Sequence, residues 1–268
     1  MLALTCAALL GFAANSLLCR AALGAGSIDA ASFTAIRLAS GAAVLWVLVR
    51  GGAGGAGSWA SGAALFAYAA AFSFAYLRLS TATGALILFA AVQASMIGYG
   101  VAKGDRPRAL EWLGLAIATA GLVILVLPGL AAPDPLGAAL MAAAGVAWGV
   151  YSLRGRGATQ PLAATADNFA RALPLALVVL VGARHVSIEG AVLAGASGAL
   201  ASGVGYSLWY AALPHLAPAR AAIVQLSVPV IAAAGGALVL GELVTARFAG
   251  ATAAILGGIL IALVVKRR

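Results

Sequence analysis

The sequence predicts an all-α integral membrane protein of ten transmembrane helices, built as two inverted five-helix repeats. Three observations predict it. The 268 residues are 64% hydrophobic and 9% charged, with a mean hydropathy of +1.08, whereas a soluble domain carries about 25% charged residues. Ten apolar runs each approach the roughly 20 residues that a helix needs to cross the bilayer core. The second half of the chain also repeats features of the first in order.

The runs follow one another with a physical break at each boundary. The first, 2–23, lacks a basic leader segment and contains Asn15 and Arg20, so it reads as a span and not as a cleaved signal peptide. The second, 30–49, ends at the flexible linker GGAGGAGS. The third, 59–79, and the fourth, 82–102, are nearly continuous, divided only by the turn-like STATGAL; Gly104-Asp105 and Pro107 then end the fourth. The fifth, 109–127, stops at PGLAAPDP, and the sixth, 135–153, begins there. The remaining runs are 163–182, 190–213, 218–239 and 246–265.

With the N-terminus inside, Arg50, Lys103, Arg106, Arg108, Arg154, Arg156, Arg220, Lys266, Arg267 and Arg268 fall in inner loops or the tail, against Arg78, Arg184 and Arg247 outside. That bias puts both termini in the cytoplasm. It also explains the net charge of +9 by topology, with no nucleic-acid partner. Cys6 and Cys19 share one apolar run and have no metal-ligand spacing with His185 or His215. They read as buried small residues, and no cofactor is expected.

Laid on itself half a chain apart, residues 79–105 superpose on 216–242, so that Gly104-Asp105 meets Gly241-Glu242. Gly114 and Gly121 match Gly250 and Gly257, Arg37 matches Arg171, and Phe12 and Ser16 match Trp148 and Ser152. Residues 1–130 and 131–268 are therefore read as two units of five spans. Five is odd, so the second unit enters from the opposite face, an arrangement found in many secondary transporters with a site near the midplane.

These residues carry a family resemblance. The stretch LAPARAAIVQLSVPVIAAAGGALVLGELVTARFAGATAAILGGILIAL resembles the second half of an EamA-type domain of the drug/metabolite transporter superfamily. AGVAWGVYSLRGR is similar to the start of that copy. Pro229 departs from the repeat, because Val92 stands in its place in the first half. The resemblance implies export of small metabolites or drugs across a bacterial inner membrane.

Polar and aromatic residues near span centres mark a candidate pocket. Helix 1 offers Phe12, Asn15, Ser16 and Cys19 at three- and four-residue spacing, and helix 3 offers Tyr68, Phe72 and Tyr76. Helix 4 presents Phe89, Gln93, Met96 and Gly100, and helix 6 presents Trp148, Tyr151 and Ser152. Helix 8 brings Ser202, Tyr206, Trp209 and Tyr210, and helix 9 brings Gln225. Of these, Asn15, Tyr68, Tyr76, Phe89, Gln93, Trp148, Tyr151, Tyr206, Trp209 and Gln225 form the candidate substrate-binding set. Packing is the alternative reading for Phe66, Phe72 and Phe89, and anchoring at the membrane interface for Trp46, Trp59 and Tyr210. The set describes a wide, aromatic-walled cavity with uncharged hydrogen-bonding groups. It suits a neutral or zwitterionic molecule with an apolar side chain, amino acids with large or aromatic side chains first.

Charge within the spans points elsewhere. Asp167 and Arg171 lie four apart and can pair on one face. An unpaired Arg37 at span centre costs at least about 2.5–3.5 kcal/mol, so pairing or reaching to the headgroups is its expected role. Asp29, Glu111, Asp134, Glu189, Glu242 and both histidines fall in loops or near span ends. No proton relay is evident, which favours facilitated diffusion; a proton-coupled or broad-specificity exporter is the alternative. Each Gly-acid pair should close one helix and set a negative charge at the start of the next. Gly114, Gly121, Gly250 and Gly257 should mark tight helix contacts, within the protomer or across a homodimer. An intramembrane enzyme is disfavoured, since neither H-E-x-x-H nor paired acids occur in a span, and no ring-forming filter motif suggests a channel.

Overall fold

The structure, a computed structural model, describes residues 2–50, 56–104, 108–127, 132–156, 158–212, 215–216 and 224–265. Ten long helices run through these residues: α1 (Leu2–Gly24), α2 (Ala30–Leu48), α3 (Trp59–Tyr76), α4 (Thr81–Ala102), α5 (Ala109–Val126), α6 (Pro135–Arg154), α7 (Pro161–Leu180), α8 (Ile188–Ala212), α9 (Ser227–Leu240) and α10 (Ala246–Val265). Six of them, α1, α2, α4, α6, α7 and α8, are long and apolar enough to cross a membrane by length and composition. Helices α5, α9 and α10 are apolar over shorter stretches, and α3 falls in neither set.

The helix starts are written in the sequence as capping residues. Asp29 accepts from the Ser32 N–H at 2.8 Å, Ser58 from Ser61 at 3.1 Å, Asp134 from Gly137 at 2.7 Å and Ser187 from Gly190 at 3.0 Å. Each satisfies a backbone donor that the first helical turn leaves open. Ser80 does the same for α4 through Thr83, which divides the nearly continuous third and fourth runs. Pro135 and Pro161 occupy first-turn positions, where a missing N–H costs nothing. Outside the helices, Ile28 and Val186 form an isolated antiparallel bridge that ties the start of α2 to the start of α8.

Of the expected run 218–239, residues 218–223 lie outside the described set. Val224 and Gln225 are helical, Leu226 is a turn, and α9 proper starts at Ser227. Pro229 explains the interruption: it has no N–H to give the Gln225 carbonyl four residues back. At the matching point α4 runs unbroken through Val92.

Small residues set the distances between helices. A Cβ on Gly145 of α6 would stand 2.6 Å from the Leu88 carbonyl oxygen of α4, and one on Gly62 of α3 would stand 2.8 Å from the Arg171 Cβ of α7. Helices α5 and α10 pack through Gly114, which faces the Gly258 carbonyl, and Gly121, which faces Ala254 and Ile255. Within the chain the α10 glycine at this contact is Gly258, whereas Gly250 and Gly257 face open space. Arg247, at the start of α10, donates to the Ile124 and Leu127 carbonyls at the end of α5. Large apolar side chains such as Leu177, Val181, Leu238 and Leu243 are exposed on the outside of the bundle, as lipid-facing surfaces require.

Candidate functional site

Helices α1, α3, α4, α6, α7 and α8, with Gln225 ahead of α9, enclose a cavity of about 580 Å³. Its wall reaches Gly155 and Arg156, exposed where α6 ends, and Pro161 where α7 begins. That end is the mouth. The other end is shut beneath the α3–α4 turn, where Ser16, Tyr76 and Thr81 are buried.

Aromatic rings form most of the wall. Trp148 stacks on Tyr206 at 5.4 Å and 21°, with Tyr68 at 4.9 Å and Tyr151 at 5.3 Å around it. Phe12 meets Tyr206 at 5.9 Å and Trp209 edge-on at 5.8 Å. Offset and edge-on contacts of this kind are favourable beyond area burial alone, so the wall is preformed. The uncharged polar groups are set among these rings. Asn15 donates to the Tyr68 hydroxyl at 3.3 Å and accepts from Ser197 at 2.6 Å. Thr165 lies 3.3 Å from the Tyr151 hydroxyl and 3.1 Å from that of Tyr210. The side-chain amides of Gln93 and Gln225 line the cavity and make no hydrogen bond among the described residues, so they remain available to a ligand.

Nine of the ten sequence-selected residues come together on this wall: Asn15, Tyr68, Phe89, Gln93, Trp148, Tyr151, Tyr206, Trp209 and Gln225. Tyr76 does not. It is fully buried behind Phe72, edge-on at 4.8 Å, and donates to the Thr81 carbonyl at 3.3 Å. Gly84 leaves room for its ring, since a Cβ there would stand 2.5 Å from Tyr76 Cε1. The spacing of four that aligns Tyr68, Phe72 and Tyr76 on one face says nothing of where the cavity stops along it. Tyr210, expected at the membrane interface, lines the cavity instead, while Trp46 and Trp59 are exposed.

Thr165 and Asn168 of α7 also line the wall and were not among the expected residues. Pro161, Ala164, Thr165 and Asn168 share one face at three- and four-residue spacing, a small and polar stripe that could have found them. The π-helical stretch Ser197–Val204 in α8 adds Ala201 and Ser202. Wide turns of this kind recur at functional sites because they re-aim side chains without ending the helix.

Charged groups are arranged around the cavity. Asp167 pairs with Arg171 at 3.1 Å and accepts from the Gly57 N–H at 2.8 Å, which ties α7 to the approach to α3. No carboxylate is on the wall among the described residues. Arg37 departs from expectation: it is 2% exposed, reaches no headgroup, and has no carboxylate partner among the described residues. Glu242 also departs from it. Gly241 does close α9 in the left-handed conformation, at φ 65°. The carboxylate, however, crosses the molecule to accept from the Thr81 N–H of α4, at 3.0 and 2.9 Å, and pairs with Arg20 at 3.4 Å. The positive end of α4 lies within its reach and has an unfilled backbone donor. Asp105, its expected counterpart, lies outside the described residues.

Residues 135–264 match the model of the EamA-like transporter family. "Uncharacterized protein PA1977" of Pseudomonas aeruginosa is 52% identical over 269 residues, covering 98% of this chain and 94% of its own. A solved crystal structure superposes over 98% of this chain and 99% of its own with a TM-score of 0.65 and 21% identity, a likeness of fold.

Proposed function

The chain belongs to the EamA-like transporter family of multi-pass membrane proteins, and on that premise we propose that it exports small neutral metabolites, foremost amino acids with large or aromatic side chains. The observation that carries this reading is the cavity itself: a preformed aromatic wall, interrupted by the unpaired amides of Gln93 and Gln225, open at one end and shut at the other. An indole or phenyl ring can join the stack around Trp148, and a polar backbone can exchange hydrogen bonds with the amides.

Transport by alternating access fits this shape. The two halves, residues 1–130 and 131–268, would act as inverted repeats that rock about the cavity. In the bacterial inner membrane with both termini in the cytoplasm, the mouth at the α6–α7 turn faces inward, ready to load. The absence of a wall carboxylate among the described residues supports facilitated diffusion down the substrate gradient. A broad-specificity or proton-coupled drug/metabolite exporter is the second reading, favoured by a cavity roomier than one amino acid needs.

Proteoliposomes loaded with radiolabelled phenylalanine, tryptophan or methionine test the proposal. Flux above that of empty vesicles, unchanged by an imposed pH gradient, is the expected result. Flux at the empty-vesicle level for all three removes the amino-acid reading, and accumulation that follows the proton gradient selects the second one.

A further inference from the structure

Arg37 of α2 is the largest fully buried side chain among the described residues. The three ion pairs among the described residues, Arg20–Glu242, Arg78–Asp134 and Arg171–Asp167, do not include it. Its guanidinium lies between two rings, 5.0 Å from the Tyr68 centroid and 4.9 Å from that of Phe72. Nη2 donates to the Tyr68 hydroxyl at 3.0 Å, and Nη1 has no partner among the described residues. A cation within a membrane-spanning helix is costly unless an anion answers it.

Tyr68 carries that charge to the cavity. A phenol has one proton and two acceptor positions. Arg37 and Asn15 both donate to this oxygen, so its acceptor positions are filled. The proton is left to donate, and no described residue takes it. Tyr68 and Asn15 both line the cavity. So does Ser202, 1% exposed, whose hydroxyl has no partner among the described residues. The wall thus holds an excess of donors, backed by an unanswered positive charge.

We propose that this corner is a carboxylate site: the cargo's carboxylate accepts from the Tyr68 and Ser202 hydroxyls, with Arg37 as its counter-charge. Arg37 itself is buried behind the wall, so its charge acts through the Tyr68 hydroxyl to which it donates. The inference rests on the proposed function for the cavity as cargo site, and it adds that the cargo is a carboxylate and not an amine or a fully neutral molecule.

Two matched pairs of probes test it on the purified full-length protein, with binding read from the change in tryptophan fluorescence, to which Trp148 and Trp209 on the wall contribute. Phenylalanine is compared with phenylalaninamide, and 3-phenylpropionate with 3-phenylpropanamide. Each acid is expected to bind roughly ten- to a hundredfold tighter than its amide. Arg37→Gln should bring that ratio close to one, Tyr68→Phe should lower it in part, and Arg37→Lys should keep most of it. If Arg37→Gln does not fold, the wild-type pairs and Tyr68→Phe decide. Binding of 3-phenylpropionate without phenylalanine upholds the carboxylate site and sinks the amino-acid reading. Equal binding of acid and amide overturns the site even if phenylalanine is transported, as does no binding of any probe, or a folded Arg37→Gln that keeps the ratio.

Discussion

The Glu242 carboxylate, at the turn between α9 and α10, holds the Thr81 backbone N–H at the start of α4 through both oxygens, at 3.0 and 2.9 Å. Arg20 joins the pair, donating to Glu242 at 3.4 Å and to the Tyr76 carbonyl at 3.1 Å. Four helices, α1, α3, α4 and α9, therefore meet at one charged knot over the closed end of the cavity. Glu242→Ala should cost about 1.5–3 kcal/mol, the range for hydrogen bonds to a charged group, seen as a lower melting temperature. It should also open this end: in a Cys6→Ser background, the fully buried Cys19 should react faster with a maleimide. An unchanged labelling rate would mean that the knot does not hold this end shut.

Trp148 touches Tyr68, Tyr151 and Tyr206, so its removal takes the centre from the aromatic wall. Trp148→Ala should reduce phenylalanine flux by about tenfold or more with normal abundance in the membrane. Gln93→Ala, which removes one free amide, should reduce it less. Wild-type flux in both variants would take these residues out of the transport path.

The α5–α10 contact separates glycines that sit against a neighbour from those that do not. Gly114→Ala and Gly258→Ala should each destabilise by about 1–3 kcal/mol, because the added methyl meets backbone on the facing helix. Gly250→Ala and Gly257→Ala meet open space and should be neutral, or stabilise by up to about 1 kcal/mol through helix propensity. Thermal unfolding of the four variants checks the contrast.

Asp29 gives a pH dependence with a definite sign. Burial raises its pKa, but the N–H groups of Ser32, His185 and Arg184 outweigh burial and hold it below its ordinary 3.8. A carboxylate depressed on folding adds stability that is complete above the unfolded pKa and is lost as pH falls through the folded one. The melting temperature should therefore fall below about pH 4, and Asp29→Asn should flatten that limb while lowering the plateau at neutral pH. Parallel acid limbs in both proteins would remove Asp29 as the cause.

The helices were legible because the bilayer imposes length and the loops impose punctuation. Ser58, Ser80, Asp134 and Ser187 begin helices where the runs begin, and Pro229 marks a real interruption. Periodicity also brought Asn15, Gln93, Trp148 and Tyr206 to one cavity, since faces in register along neighbouring helices must meet. Long-range partners were not legible. Glu242 reads as a local cap from its neighbours in sequence, yet the donor it fills belongs to α4. Gly257 and Gly258 are adjacent, and only the rotation of α10 about its axis decides which one touches α5. Arg37 resembles any arginine in need of an acid until the rings around it are seen.

Helices α5 and α10, joined glycine to carbonyl and fastened by Arg247, contribute no residue to the cavity wall among those described. On the proposed function, cargo chemistry and bilayer fit fall on different parts of the chain. This outer pair can drift in sequence to suit a thicker or thinner membrane while the chamber keeps its selectivity, and the chamber can be retuned to a new cargo without disturbing the strut beside it.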